Sequence, residues 1–240
     1  MARNKKIIAL ICCRGGSKDI PNKNIKKFSG KPLLAWVIEE VKKTGIFDKI
    51  IISTDSKSIA KIGKFYGAYI PGLRPKILAT DNSDVFDTHK YIFSKLNYTD
   101  ENSYICVLNN NPFINSSFIK TSFQISKKNK YNCVVLDSQK IKSDSLYYRQ
   151  MKKKKNRLIP IFPKEFSKSK INRQFDNNFF STINNIRWGR PSVLSNYNTY
   201  KKFIIRNGIF PIFLPKIKNF DLDDLEDWKI AETIFTNFIK

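Results

Sequence analysis

The 240-residue chain has one histidine, two methionines and four cysteines, and these scarcities exclude several kinds of site. The cysteines form no Cys-x-x-Cys pair, and His89 alone cannot complete a typical zinc site. A Ser–His–Asp hydrolase would depend on that single histidine, which disfavours this class. The cysteines (Cys12, Cys13, Cys106 and Cys133) stand in apolar, strand-like runs, which predicts buried thiols of a reducing compartment.

Long apolar runs are also missing. The first apolar run, Ile7–Cys13, ends at Arg14 without the small-residue cleavage site of a secretory signal. No other run approaches the roughly 20 apolar residues that a membrane span needs. The sequence therefore predicts a soluble, cytoplasmic protein.

Acidic residues are scarce beside basic ones: 20 Asp and Glu stand against 44 Lys and Arg, a net charge of +24. Nucleic-acid binding, a polyanionic small substrate and a Lys/Asn/Ile-rich coding bias could each explain this. The charge is spread along the chain, and the densest run, Lys152–Lys155, is predicted to be an exposed turn or hairpin tip. No nucleic-acid-binding module is recognisable, so nucleic acid is the disfavoured partner. The charge alone does not decide among the three explanations.

Short apolar runs alternate with amphipathic helical patterns along most of the chain. This alternation predicts an α/β fold: three layers, with a mostly parallel, Rossmann-like sheet and helices on both faces. The predicted buried strands are Lys6–Cys13, Lys49–Ser53, Ser103–Leu108 and Asn132–Leu136. The predicted helices are Pro32–Thr44, Ser56–Tyr66, Val85–Leu96 and Phe118–Lys128.

The alternation stops near Asp137, and residues up to about Leu194 are rich in Lys, Ser, Asn and aromatics. Two short pieces there, Ser145–Met151 and Leu158–Phe162, have strand-like patterns. We expect a single domain over 1–240, with a β-rich dimerisation arm within about 138–194. A last α/β unit is predicted, with the strand Ile209–Leu214 and the helix Leu225–Phe238.

The loop after the first strand reads Arg14-Gly15-Gly16-Ser17-Lys18-Asp19-Ile20-Pro21-Asn22-Lys23-Asn24. In a parallel sheet it lies at the carboxyl end of the strand, where ligands normally bind. The adjacent glycines permit positive φ and close backbone approach to phosphates. Arg14, Lys18 and Lys23 add three cations. The loop is neither GxxxxGK[ST] nor GxGxxG, so it predicts polyphosphate binding of another kind.

Near the carboxyl end of the chain, Asp221 and Asp223 form an Asp-x-Asp pair. In an extended segment the two carboxylates lie on the same side, and such hard oxygen ligands suit Mg²⁺ shared with phosphates. The alternative is that these acids, with Asp224 and Glu226, favour the amino terminus of the helix that starts at Leu225. Beside the basic first loop, the metal interpretation leads.

The order Arg-Gly-Gly-Ser-Lys-x-Ile-Pro-x-Lys-Asn, followed by Gly-Lys-Pro-Leu at 30–33, resembles the acylneuraminate cytidylyltransferases, which include the CMP-sialic, pseudaminic and legionaminic acid synthetases. The resemblance continues through Phe47–Asp55, Leu73–Pro75, Leu78–Asp81 and Phe220–Asp223. It is strong up to about Asp81 and weakest between about 137 and 194.

The resemblance implies a reaction in which CTP and a nine-carbon α-keto sugar acid give a CMP-sugar and pyrophosphate, with Mg²⁺ as cofactor and a homodimer as the assembly. It implies a nucleotide site built from Arg14, Gly15, Gly16, Ser17, Lys18, Lys23, Asn24 and Arg74, the last at the cytosine. The residues implied in catalysis are Arg14, Lys23, Asp221 and Asp223, of which the two aspartates hold the metal. The sugar site is expected at Asn109, Asn110, Asn111, Arg173 and Gln174.

The chain departs from the family pattern after its fourth strand. Val107–Ile114 stands where the family has Leu-Gln-Pro-Thr-Ser-Pro-Leu-Arg, so Leu108 replaces a glutamine and Ile114 an arginine. Ile183–Ile186 lacks the glycine of an Asn-Gly-Ala-Ile-Tyr element, and Asp19 replaces a glycine of the first loop. Two alternatives therefore stay open: a nucleotidyltransferase with changed base or sugar specificity, or a catalytically weakened homologue that acts as a binding protein.

Overall fold

The computed structural model describes residues 5–140, 151–154, 157–160, 180–213, 220 and 222–239. The chain divides into two compact units, Met1–Asp137 with Asn184–Lys240, and Ser138–Ile183. The predicted sugar residues Arg173 and Gln174 and the predicted metal ligand Asp221 lie outside the described residues. The predicted strand at 145–151 lies outside them as well, except for Met151. The dimerisation arm stays a prediction.

Six strands form the main sheet in the order β10-β6-β9-β5-β1-β4. The strand β1 is parallel to both β4 and β5, whereas β9 is antiparallel to β5. The bounds are β1 Lys6–Cys12, β4 Lys49–Ser53, β5 Ser103–Leu108, β6 Val135–Lys140, β9 Phe180–Gly189 and β10 Phe210–Phe213. Two small hairpins join β2 (Lys27–Phe28) to β3 (Lys31–Pro32), and β7 (Met151–Lys154) to β8 (Arg157–Pro160).

The helices have the bounds α1 Leu33–Thr44, α2 Lys57–Phe65, α3 Val85–Lys95, α4 Ser116–Lys128, α5 Pro191–Leu194, α6 Tyr197–Asn207 and α7 Leu225–Phe238, the last of which follows β10. A short 3₁₀ turn spans Lys76–Leu78. Among the described residues, no helix is both long and apolar enough to cross a membrane. The predicted α/β class with helices on both faces of a mostly parallel sheet is confirmed.

The two faces of β1 bury different neighbours. Ala9 and Ile11 pack in one core cluster together with Val37 of α1. Ile8 and Leu10 pack in a second cluster together with Phe86 of α3. Successive side chains of a strand point to opposite faces, so a strand covered on both sides must be apolar throughout. This is why the run 7–11 shows no polar alternation.

Several boundaries differ from those predicted. The strand predicted at Asn132–Leu136 runs over Val135–Lys140. The helix predicted from Phe118 begins at Ser116, because the side chain of Asn115 accepts a hydrogen bond from the N–H of Phe118 at 3.0 Å and caps the helix. The helix α6 was not predicted from its Asn- and Tyr-rich sequence.

The lysine run Lys152–Lys155 is not simply a turn. Its first three residues belong to β7, which pairs with β8 in antiparallel register from Met151↔Pro160 to Lys154↔Arg157. Residues 155 and 156, between the two strands, lie outside the described residues. The prediction of a turn or hairpin tip is therefore wrong for Lys152–Lys154, which lie on a paired strand, and it stays a prediction for Lys155.

The cysteines occupy the positions expected of core thiols. Cys13, Cys106 and Cys133 are buried, Cys12 is half-buried, and all four are free. Burial raises the pKa of Cys12 to about 11, so its thiol is protonated near neutral pH.

The single histidine lies on the buried side of α3. The His89 side chain is fully buried, its Nδ1 is 2.8 Å from the carbonyl oxygen of Leu194, and its ring lies near those of Phe86 and Phe93. Burial lowers the pKa of His89 from 6.5 to about 4. The folded protein therefore keeps this ring neutral at pH values at which the unfolded chain protonates it.

We expect the free energy of unfolding to fall as the pH is lowered from 6.5 to 4, because over this window the unfolded chain binds a proton that the folded chain does not. A depression of this size corresponds to about 3 kcal/mol. Urea unfolding of the protein and of His89→Gln at pH 7, 5.5 and 4 measures the effect. The variant should lack this part of the pH dependence, whatever its stability at pH 7; parallel pH profiles would contradict the prediction.

Candidate functional site

A cavity of about 280 Å³ lies at the carboxyl edge of the sheet. The loops that follow β1 and β5 converge there with the segment before α7. Parallel strands bring their carboxyl ends to one edge, which explains why segments a hundred residues apart in sequence meet. The lining residues are mostly polar: Cys12, Arg14, Ser17, Lys18, Asp19, Lys23, Asn24, Asn109, Asn110, Asn111, Asn185, Leu222 and Asp223.

Of the two glycines of the first loop, only Gly15 is short of space. Neither Gly15 nor Gly16 has a positive φ. A Cβ on Gly15 would lie 3.0 Å from the Cβ of Ser56, which is tighter than ordinary contact. The N–H of Gly15 donates to Oδ1 of Asp55 at 2.9 Å, so in this structure it faces a carboxylate of the chain itself. A Cβ on Gly16 would meet nothing within 4 Å.

Two of the three predicted cations share one carboxylate. Arg14 Nη1 lies 2.5 Å from Asp81 Oδ1, and Lys18 Nζ lies 2.5 Å from Asp81 Oδ2. Hydrogen bonds from Lys18 and Arg14 lower the pKa of Asp81, which stays ionised near neutral pH. These groups are largely exposed, so the pairs are weak and exchangeable. An incoming anion can therefore take over both cations.

The third predicted cation, Lys23, binds the backbone of the segment before α7. Lys23 Nζ donates to the carbonyl oxygen of Leu222. An ammonium group has three donors, so this bond leaves Lys23 able to donate to a second acceptor in the cavity. Lys23 thus joins the first loop to the segment that carries Asp223.

Two asparagines connect the loops after β1 and β5. The Asn24 amide donates to the carbonyl oxygen of Arg14 at 2.9 Å, and the Asn110 amide donates to Oδ1 of Asn24 at 2.9 Å. Because a backbone carbonyl can only accept, the first bond fixes the orientation of both amides. Asn24 therefore holds the backbone of the loop after β1, and Asn110 holds the side chain of Asn24 in place.

The predicted sugar-site asparagines differ in exposure and in contacts. All three line the cavity, but Asn109 is exposed, Asn110 is half-buried and Asn111 is only 4% exposed. Leu108 and Ile114, which replace polar residues of the family pattern, are buried in the core and are not among the lining residues. Those two departures therefore change the core beneath the cavity and leave its wall polar.

Arg74 is not among the lining residues and lies behind the first loop. Its side chain is buried, with Nη1 3.3 Å from the Thr88 hydroxyl and Nη2 3.9 Å from Oδ1 of Asp55. Asp55 in turn accepts the N–H of Gly15. Arg74 therefore lies beside the carboxylate that fixes the first loop.

The acidic residues around the start of α7 differ in what they contact. Asp224 caps the helix by accepting from the N–H groups of Glu226 and Asp227, and Asp224 and Asp227 form a capping box. The helix-terminus interpretation is therefore right for Asp224 and for Glu226, which lies in the first turn of the helix. Asp223 is exposed and lines the cavity.

The position of Asp223 fits a metal shared with phosphates. Among the described residues, no group of three His, Cys, Asp or Glu could hold a metal by itself. Mg²⁺, however, is commonly bound by only one or two carboxylates together with substrate phosphates and waters. Asp223 supplies such an oxygen in the cavity that also contains Arg14, Lys18 and Lys23.

The element Ile183–Ile186 has no glycine, yet its backbone adopts a left-handed conformation of the kind that glycine favours. Asn184, which aligns with that glycine, has φ 66°. Asparagine tolerates this left-handed region better than most residues. The next residue, Asn185, is buried and lines the cavity.

Asp55, Asp81 and Asn185 were not assigned a role from sequence. Asp55 and Asp81 end motifs that carried the family resemblance, and this was the signal that could have identified them. Nothing in the sequence around Asn185 marks it as a residue of this cavity.

Comparison with known proteins gives a family and a fold. The family model described as cytidylyltransferase matches residues 8–207. Relatives include the N-acylneuraminate cytidylyltransferase of Escherichia coli, 40% identical over 131 residues (54% of this chain, 30% of that protein). The CMP-N,N'-diacetyllegionaminic acid synthase of Legionella pneumophila is 37% identical over 124 residues (51% and 53%). The chain thus aligns with about half or less of the length of these relatives.

A third relative, from Helicobacter pylori, is a pseudaminic acid cytidylyltransferase and UDP-2,4-diacetamido-2,4,6-trideoxy-beta-L-altropyranose hydrolase; it is 36% identical over 124 residues (52% of this chain, 24% of that protein). Among solved structures, a CMP:2-keto-3-deoxy-manno-octonic acid synthetase complexed with CTP superposes with a TM-score of 0.66 at 15% identity, covering 96% of this chain and 98% of that one. A 4-diphosphocytidyl-2C-methyl-D-erythritol synthase of Anaerococcus prevotii gives 0.61 at 14% identity, covering 97% and 99%. At such identities these structures show the fold alone.

Proposed function

Because the chain belongs to the cytidylyltransferase family, we propose that it couples CTP to a nonulosonic, sialic-like sugar acid to give a CMP-sugar and pyrophosphate. The names of the relatives support this substrate pair. We further propose that it acts in the cytoplasm, as a homodimer, in the synthesis of cell-surface glycans.

The cavity with three cations carries the proposal. Arg14, Lys18 and Lys23 face one space of about 280 Å³. A nucleoside triphosphate brings several negative charges, and charge-assisted hydrogen bonds from three cations would neutralise much of them. Arg14 and Lys18 would exchange the Asp81 carboxylate for phosphate oxygens, since their exposed ion pairs with Asp81 are weak.

The proposed chemistry is a substitution at the α-phosphate of CTP. The anomeric hydroxyl of the sugar acid attacks this phosphorus, a new P–O bond forms, and the bond to the β-phosphate breaks as pyrophosphate leaves. The protein contributes positioning and charge neutralisation and forms no covalent intermediate. Arg14 and Lys23 would stabilise the charge that builds up on the leaving pyrophosphate.

Magnesium, when bound, would draw negative charge from the phosphate oxygens. Asp223 would supply one ligand, and the predicted partner ligand is Asp221. The exposed Asn109 and the half-buried Asn110, which line the same cavity, are proposed to face the sugar acid. Arg173 and Gln174 keep their predicted role in sugar binding.

A pyrophosphate-release assay tests the proposal. The protein is incubated with Mg²⁺, with each of CTP, UTP, GTP and ATP, and with nine-carbon and eight-carbon keto-sugar acids. We expect release only with CTP and a nine-carbon acid. Release with another triphosphate would mean a changed base specificity, and release with an eight-carbon acid a changed sugar. No release in any combination would leave the catalytically weakened alternative.

A further inference from the structure

Asn111 joins three segments at the base of the cavity. Its Oδ1 accepts from the N–H of Phe113 at 3.0 Å, and its Nδ2 donates to Oδ1 of Asn185 at 3.2 Å and to the carbonyl oxygen of Phe220 at 2.9 Å. The Phe113 N–H can only donate and the Phe220 carbonyl can only accept, so these backbone groups fix the orientation of the amide. Both N–H donors of the side chain, and one acceptor site of its oxygen, therefore bind the protein.

The segment that leads to Asp223 is held at two carbonyl groups. Asn111 binds the carbonyl of Phe220, and Lys23 binds the carbonyl of Leu222. The side chain of Leu222 is buried in a core cluster with Trp228. The backbone immediately before Asp223 is thereby tied both to the loop after β5 and to the loop after β1.

Asn185, to which Asn111 donates, is itself held by buried hydrogen bonds. The N–H groups of Asn185 and Ile186 donate to the two carboxylate oxygens of Asp137, at 3.0 and 3.1 Å, and Asp137 is fully buried. The carbonyl oxygen of Asn185 also accepts from the N–H of Asn109 at 2.9 Å. Asn111 therefore bonds on one side to a residue that cannot move without breaking buried hydrogen bonds, and on the other to the acidic segment.

We propose that Asn111 is a positioning residue: by holding the Phe220 carbonyl, it keeps the carboxylate of Asp223 at the edge of the cavity where triphosphate and metal bind. This differs from the role in sugar binding expected from sequence. That triphosphate and metal bind at this edge rests on the proposed function. The tether, meaning the hydrogen bond from Asn111 to the Phe220 carbonyl, rests on the contacts of Asn111 alone.

The test is Asn111→Ser. The serine hydroxyl can still accept from the N–H two residues on, which keeps the turn at Phe113, but it is too short to reach the Phe220 carbonyl. Hydrogen exchange followed by mass spectrometry should show the amides of Asp223 and Asp224 exchanging about tenfold faster, with the amides of β1 unchanged. The Mg²⁺ concentration for half-maximal pyrophosphate release should rise about tenfold, with a smaller change in KM for CTP at saturating Mg²⁺.

Asn109→Ser is the matched control, since it makes the same substitution at an exposed position of the same loop. It should leave the exchange of Asp223 and Asp224 as in the parent protein. Unchanged exchange there in Asn111→Ser, or exchange raised equally in β1, would refute the tether. If the parent protein releases no pyrophosphate, the proposed function fails, and the exchange data still decide the role of Asn111.

Discussion

Asp223→Ala is expected to lower Mg²⁺-dependent pyrophosphate release about a hundredfold or more while leaving the protein folded. A metal that stabilises transition-state charge contributes several kcal/mol, and each 1.36 kcal/mol is a factor of ten in rate. The fold should survive because Asp223 is exposed and because the helix cap is provided by Asp224. Steady-state rates over a range of Mg²⁺ concentrations, together with the midpoint of thermal unfolding, measure both parts of the prediction.

Glu226→Gln is the control for charge. It removes an exposed acid from the first turn of the same helix, three residues further on. If acids in this region act only through the helix dipole, the two variants should have equally small effects. A rate in Asp223→Ala equal to that of Glu226→Gln would remove Asp223 from the metal site.

The fold was largely predictable because its signals are local. The sequence of Lys6–Cys12 is apolar almost throughout, which indicates a strand buried on both faces. In Leu33–Thr44 the apolar residues recur at helical spacing, which indicates a helix buried on one face. The strand Phe180–Gly189 was missed because it lacks such a local signal: Asn184 and Asn185 interrupt its apolar residues. Its place depends on antiparallel pairing with Ser103–Leu108, about eighty residues away.

The site was predictable only in part, for a similar reason. Residue type and order identified the cations Arg14, Lys18 and Lys23, and all three line one cavity. The hydrogen bonds that orient them could not be predicted, since Asp81 lies 67 residues from Arg14 and Leu222 lies 199 residues from Lys23. Such contacts depend on how the strands are ordered in the sheet, which sequence spacing does not encode.

The same reasoning explains why the role proposed for Asn111 differs from the role predicted from its sequence. From sequence, three consecutive asparagines in an otherwise altered motif read as donors for a sugar. In the structure the side chains differ in exposure: Asn109 is exposed, whereas Asn111 is only 4% exposed and bonds to three segments of the protein. A buried amide must find partners in the protein, which is the basis for the positioning role proposed for Asn111, whereas the exposed Asn109 remains the better candidate for a ligand contact.

Lys23→Ala should weaken CTP binding by about ten- to a hundredfold, because a hydrogen bond to a charged group contributes about 1.5–3 kcal/mol. The affinity for CMP should change much less if Lys23 contacts the phosphates that CMP lacks. Calorimetric titration of the protein with CTP and with CMP measures this difference.

Lys27→Ala is the control, since it removes one positive charge from an exposed position on β2. General attraction between a +24 protein and a polyanion would lower CTP affinity to a similar, small extent in both variants. Lys23 also binds the Leu222 carbonyl, so exchange of the Asp223 amide is measured in parallel. If CTP affinity in Lys23→Ala equals that in Lys27→Ala while the Asp223 amide exchanges faster, then Lys23 supports the acidic segment and does not contact the nucleotide.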